Sequence, residues 1–237
     1  MPHDELLDGL RQQRARLTCE DGLGLRMDVY QPEDPERRAP LVVIVHGFKG
    51  FRTWGLFPPL AQRLALGGRA VALFDLSHNG VGEEDGVFDR LDLFEAQTVG
   101  RHVADLGLVL DALDAARGMP LSGLRDAADG VHVLGHSMGG GLALLRAATD
   151  ARIRSLALLN AVSHFTRWPP EALEELEATG RVSIPNARTG QVMPLGRAWF
   201  DEAAGIDLLG TAATVAVPSL VLGGDADSTV PPPEARD

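Results

Sequence analysis

Gly135-His136-Ser137-Met138-Gly139 lies between the run Val131–Leu134 and the small-residue stretch Gly140–Leu145. The spacing is that of a nucleophile elbow, in which a strand turns into a helix within a couple of residues. Such a turn forces the serine into a strained backbone conformation, tolerable only if the residues two positions away, here Gly135 and Gly139, lack side chains. It lifts the Ser137 hydroxyl above the sheet edge, with His136 beside it, and sets the Met138 amide at a helix N-terminus next to any oxyanion that forms. The chemistry these residue types permit is acyl transfer through a serine nucleophile.

Two further segments share this strand-to-loop architecture. Leu41-Val42-Val43-Ile44-Val45 is a continuous apolar run, as expected of a parallel strand buried on both faces, and it empties into His46-Gly47-Phe48-Lys49-Gly50. Pro218–Leu222 is another short buried strand, leading into Gly223-Gly224-Asp225-Ala226-Asp227-Ser228-Thr229-Val230-Pro231. In this order the three motifs resemble those of the α/β-hydrolase superfamily. The resemblance implies that the backbone amide of Phe48 is a second oxyanion donor beside Met138. It also implies that Asp227, three residues after Gly224 and four before Pro231, is the acid that orients a histidine; Asp225 is the rival in that loop. Within the superfamily, His46-Gly47-Phe48-Lys49-Gly50-Phe51 with Trp54-Gly55, followed by Ser77-His78-Asn79-Gly80, is similar to bacterial hydrolases of the dienelactone hydrolase and prolyl-oligopeptidase type.

The family order of serine, acid, histidine places the base after Asp227, yet no histidine follows His164. His46 and His136 belong to the oxyanion loop and the elbow, where the family has structural histidines. His132 lies in the strand feeding the elbow, His102 on an earlier helix, and His78 in a loop where it shapes the backbone or lines a pocket. His164 is the least implausible substitute base. The expectation is a chain truncated before its catalytic histidine, because Pro231–Asp237 reads as the start of the helix that follows the acid loop. The rival expectation is a chain that has lost catalysis.

The elements that must position these residues follow from the apolar pattern. A hairpin is expected over Arg16–Cys19 and Leu25–Tyr30 around Asp21-Gly22, then a polar connector, Gln31–Pro40. Strands at Leu41 and Val71–Asp75 flank a helix at Pro59–Leu66; a long Gly- and acid-rich loop, Leu76–Asp92, precedes one helix over Leu93–Arg117. After the elbow helix and a strand near Leu156, Ala161–Gly210 breaks the alternation, where the resemblance implies a cap over the serine. Phe165, Trp168, Met193 and Trp199 are its candidate pocket walls, joined by Lys49 and His78; aromatic packing of the insertion onto the domain is the alternative. The fold class expected is α/β: a mostly parallel, doubly wound sheet with an N-terminal antiparallel hairpin and a cap at 161–210, in a single domain over 1–237 that lacks its last strand and helix.

Composition narrows the function class. The net charge of −11 argues against nucleic-acid binding, and an apolar fraction of 45% suits a globular core. Lys49 is the only lysine; its ammonium is placed either to bind an anionic substrate group or simply to sit in solvent on the loop. One cysteine, Cys19, allows no intrachain disulfide, and no stretch approaches the roughly 18 apolar residues of a membrane span, so a soluble cytoplasmic protein is expected. Nothing calls for a metal or organic cofactor, since there is no ligand cluster such as His-Glu-x-x-His. The reading is a serine hydrolase acting on carboxylic esters through an acyl-enzyme on Ser137. A serine peptidase or lactone hydrolase uses the same apparatus, and a non-catalytic binding protein of this fold is the reading from another class. Small esters or peptides are the partners expected; the residues leave the oligomeric state open.

Overall fold

The computed structural model describes residues 9–33, 40–114 and 130–236. The expected connector between residues 34 and 39 and the expected helix beyond residue 114 fall outside them. β1 (Leu10–Thr18) and β2 (Gly24–Pro32) form the antiparallel hairpin, longer than the sequence pattern suggests, with Leu10 opposite Pro32 and Thr18 opposite Gly24. Next come β3 (Leu41–Val45), α1 (Phe57–Leu66), β4 (Ala70–Phe74), α2 (Leu91–Ala96), α3 (Val99–Leu113) and β5 (Val131–His136). α4 (Met138–Ala147) and β6 (Ile153–Leu159) follow. The chain closes the sheet with β9 (Ser219–Leu222) and ends in a 3-10 turn at Pro232–Ala235.

The strand order is β1-β2-β4-β3-β5-β6-β9, with β3, β4, β5, β6 and β9 parallel and β2 antiparallel to β4. From β3 the chain steps outward to β4, then returns across β3 to β5. The order therefore reverses between β3 and β5, opening a crevice at their carboxyl ends, the place where open α/β sheets bind ligands. Val45 pairs with Gly135 at that point.

Side-chain alternation along the strands sorts the core into two layers. Val42, Ile44, Val71 and Leu73 pack with Phe57, Ala61 and Ala65 of α1. Val43, Val45, Ala72 and Phe74 face the opposite way, onto Leu106 and Leu110 of α3 and Leu142 of α4. Each of the larger side chains removed from water, the valines, leucines, isoleucine and phenylalanines, contributes roughly 1.5–3 kcal/mol. This double covering is why β3 and β4 read as unbroken apolar runs.

The single helix expected from Leu93 is instead two. Gln97 and Thr98 leave the helical region; the Thr98 hydroxyl accepts the Arg101 amide as an N-cap, and the Gln97 side-chain amide donates to the Phe94 carbonyl at 2.7 Å. Upstream, the exposed Asp85 of the acidic loop is tied to two arginines that also pair with buried carboxylates. Arg52 reaches Asp28 at 3.1 Å, Asp75 at 2.7 Å and Asp85 at 2.8 Å, and Arg26 joins Asp75 and Asp85 at 3.0 Å each.

Between β6 and β9 lie α5 (Pro170–Thr179), β7 (Arg181–Pro185), β8 (Val192–Gly196), α6 (Arg197–Ala204) and α7 (Leu208–Ala212). β7 and β8 pair antiparallel as a separate sheet, Ile184 opposite Met193. Their connecting turn leans on the loop after β3, where Lys49 Nζ donates to the Pro185 carbonyl at 2.8 Å. β9 is the sheet edge, and Leu220, Val221 and Leu222 are about half exposed. Among the described residues, no helix is long and apolar enough to cross a membrane.

Candidate active site

Ser137 sits between the last residue of β5 and the first turn of α4 with φ 54° and ψ −122°, a region that side-chain-bearing residues occupy only when their surroundings fix them there. The fixing bonds are backbone ones. The Ser137 amide donates to the Leu159 carbonyl at 2.9 Å, and its own carbonyl accepts from Gly140 at 2.9 Å and Val162 at 3.3 Å. Close packing does the rest. A methyl group on Gly135 would lie 2.6 Å from the Gly140 Cα, and one on Gly139 would collide with the backbone of Val45 and His46. The loop after β3 thus passes directly against the elbow, and a Cβ on Gly47 would stand 3.0 Å from that of Ser137.

His46 holds this loop. Its Nδ1 faces the Gly47 carbonyl at 2.9 Å and its Nε2 accepts the Leu76 amide at 3.1 Å, which assigns the proton to Nδ1. Burial drives its pKa down to about 4, so the ring is neutral at pH 7. Neither the Phe48 amide nor the Met138 amide donates to another backbone group among the described residues. Both residues line the cavities at Ser137, Phe48 in each and Met138 in one.

Two cavities meet at Ser137. One, of about 200 Å³, is lined by Phe48, Lys49, Trp54, His136 and Arg188. The other, of about 140 Å³, is lined by Met138, His164, Phe165, Trp168 and Trp199, with Phe48 again at the boundary. The Phe48 ring packs 5.4 Å from Phe94, 5.9 Å from Trp199 and 6.3 Å from Trp168. It divides the cleft.

Asp227 lies beyond β9, two strands from the serine. Its carboxylate accepts the Thr229 amide at 2.7 Å, the Val230 amide at 2.9 Å and the side-chain amide of Asn160, and the two backbone amides hold its pKa below the usual carboxylate value. Asp225 is exposed. Among the described residues no group of three or more His, Cys, Asp or Glu side chains is arranged to hold a metal ion.

The Alpha/beta hydrolase family model matches residues 42–236. The chain belongs to the alpha/beta hydrolase family. Solved structures of similar fold include Est1E from Butyrivibrio proteoclasticus with ferulic acid bound, at TM-score 0.70 and 22% identity over 92% of this chain and 82% of that one. GrgF from Penicillium sp. sh18 aligns at TM-score 0.70 and 17% identity over 93% and 82% of the two chains. A hydrolase from Pseudomonas aeruginosa PA01 aligns at 0.62 and 18% over 94% and 84%. A search of curated protein sequences finds no match.

Two of the candidate pocket residues, Met193 and His78, line neither cavity at Ser137. Met193 is fully buried between the small sheet and the core, its sulfur 3.7 Å from the Asn186 amide, and lines neither cavity at Ser137. His78 also stands apart from both cavities. It is buried, bonded through Nδ1 to the Ser77 hydroxyl at 2.8 Å, with Nε2 3.7 Å from Asp21. His136 lines the larger cavity between Trp54 and Phe57, at 5.9 and 5.8 Å, and its Nδ1 makes no hydrogen bond. His164 shares the smaller cavity with Ser137, but its Nδ1 faces the Ser163 hydroxyl at 3.2 Å and the Glu234 carboxylate at 3.8 Å.

Three residues that the sequence reading did not assign to the site help build this region. Asn160, at φ 45°, joins the end of β9 through its backbone amide (2.7 Å to Leu222) and Asp227 through its side chain. Glu234 receives the Ser163 amide at 2.8 Å and Arg167 at 2.7 Å, binding the chain's last turn to the segment after β6. Arg188, in the turn between β7 and β8, donates to the Lys49 carbonyl and caps the larger cavity. Only Asn160 had a local signal, since Asn tolerates left-handed backbone at a strand end.

Proposed function

We propose that the protein is a serine hydrolase of carboxylic esters, working through an acyl-enzyme on Ser137. The observation that carries this reading is the strained serine flanked by the uncommitted Phe48 and Met138 amides, with a cavity on either side. The hydroxyl attacks the ester carbonyl, the two amides receive the oxyanion, and the acyl and alcohol parts occupy the two cavities. Each donor is worth on the order of 2.7–4 kcal/mol to the tetrahedral intermediate. Cavities of about 200 and 140 Å³ suit short ester groups better than a polypeptide. Ferulic acid, bound in the structure of Est1E, is a carboxylic acid, the class of product that ester hydrolysis releases.

Asp227 is the acid of the triad in this reading, and the base is an imidazole held between it and Ser137. Among the described residues no imidazole bonds to the Ser137 hydroxyl, so Met1–Asp237 alone is expected to turn over esters negligibly. Free imidazole in the buffer supplies the missing base. The test is nitrophenyl acetate hydrolysis by this chain against an imidazole series, with Ser137→Ala as the blank and intact mass to detect an acyl adduct. Imidazole-dependent acylation of the chain, absent in Ser137→Ala, is the expected result. Equal rates in both proteins and no adduct would favour the second reading, a binding protein of this fold, which the unpartnered Ser137 hydroxyl supports.

A further inference from the structure

The larger cavity at Ser137 holds two cations and no carboxylate. Lys49 and Arg188 both line it, in a chain of net charge −11, and neither makes a salt bridge among the described residues. Four other arginines, Arg26, Arg52, Arg152 and Arg197, each meet an acid at 3.0 Å or less.

Both cations are held in place by contacts that include no carboxylate. The Arg188 guanidinium carbon stands 5.4 Å from the Trp54 ring, 5.6 Å from Phe51 and 5.9 Å from Phe88, and its one side-chain hydrogen bond goes to the Lys49 carbonyl. Aromatic stacking fixes the guanidinium plane and leaves further N–H donors directed elsewhere. Lys49 has a left-handed backbone, φ 56°, and its ammonium spends one proton on the Pro185 carbonyl at 2.8 Å. Burial and the neighbouring guanidinium both hold the Lys49 pKa below its ordinary value, and burial lowers that of Arg188. Two like charges line one cavity, Lys49 half-buried and Arg188 exposed, and their mutual repulsion is a cost that a bound anion would relieve.

We propose that this cavity is a carboxylate subsite, so that the substrates are esters carrying a second, ionised carboxyl group, such as half-esters of short dicarboxylic acids. The guanidinium offers the paired donors that match a carboxylate, and the ammonium adds a point charge. A cavity of about 200 Å³ has room for about six atoms beyond the reacting carbonyl, the size of a glutaryl tail. The subsite rests on the reading of Ser137 as the reacting centre only for its catalytic meaning; the binding it predicts does not depend on turnover.

The experiment is calorimetric titration of this chain with monoethyl glutarate and with its neutral isostere, ethyl 4-carbamoylbutanoate, at pH 7 and low salt. The half-ester is expected to bind at least tenfold more tightly. That preference should shrink in 0.5 M salt, fall most of the way to unity in Arg188→Gln, and be partly kept in Arg188→Lys. Equal affinity of the wild-type chain for the two esters overturns the subsite, whatever the variants do. So does a preference that survives both Arg188→Gln and Lys49→Gln. Charge-selective binding with no acylation of Ser137 even in the imidazole series would retain the subsite and discard the hydrolase, while imidazole-dependent acylation without charge preference would do the reverse.

Discussion

A methyl group added at Gly139 points into the carbonyls of Val45 and His46, rigid backbone that cannot turn aside as a flexible side chain would. Gly139→Ala should therefore destabilise the fold by about 1–3 kcal/mol, read as a lower urea midpoint at unchanged m-value, and should impair Ser137 acylation by pushing the two oxyanion loops apart. His46 makes a pH prediction. Its folded pKa of about 4 lies below the ordinary 6.5, so between these values the unfolded chain binds the proton that the folded one refuses. Stability from this residue is thus fully present above pH 6.5 and is lost as pH falls toward 4; chemical denaturation across pH 4–7 should show that slope, reduced in His46→Asn. The strained turn at Ser137 was readable before any fold was known because its steric demands are local: glycine on either side of one serine. Arg188, Glu234 and Asn160 were not, because each acquires its role from a partner far away in the chain.

At the scale of elements, the helix carrying Ser137 is pinned at its far end. Asp150, just after α4, receives Arg146 at 2.8 Å and Arg152 at 2.7 Å, and Arg152 reaches on to Asp111 of α3 at 2.7 Å. Hydrogen bonds from Arg152, then Arg146, drive the Asp150 pKa down to about 2, so the stabilisation is complete above pH 4 and disappears as pH falls through 2. Asp150→Asn should lower the melting temperature at pH 7 while the gap from wild type closes at pH 2–3, as differential scanning calorimetry would record. Strands β3 and β4 were legible because burial on both faces writes an uninterrupted apolar run, whereas β9, expected from its apolar residues to be buried, is the exposed edge. The break between α2 and α3 was hidden in the same way: Val99, Leu106, Leu110 and Leu113 keep one apolar stripe, and only the Thr98 cap reveals that the helix begins anew. Likewise, the aromatic content of the stretch after β6 announced a packed insertion but not the β7–β8 hairpin, whose register is set by Val182 and Ile184 meeting Leu195 and Met193 in the core.

Over the whole molecule, charge and apolar surface are unevenly spread. The edge strand β9 presents Leu220, Val221 and Leu222 at 44–55% exposure with one side of its backbone unpaired by any described strand. Such an edge invites pairing with another chain, so this polypeptide should self-associate with rising concentration, and Leu220→Lys should shift sedimentation profiles toward the monomer. The candidate crevice lies near the sheet centre, between β3 and β5, where the order of strands reverses. There the molecule carries its sole side-chain amine, Lys49, tethered to the Pro185 carbonyl and less basic than a lysine in water. An amine-directed dye can therefore mark one side chain in the whole protein, and that side chain stands at the mouth of the crevice. The rate of its modification becomes a built-in occupancy gauge, slowed by whatever fills the space beside Ser137, with no tag to engineer and no turnover to await.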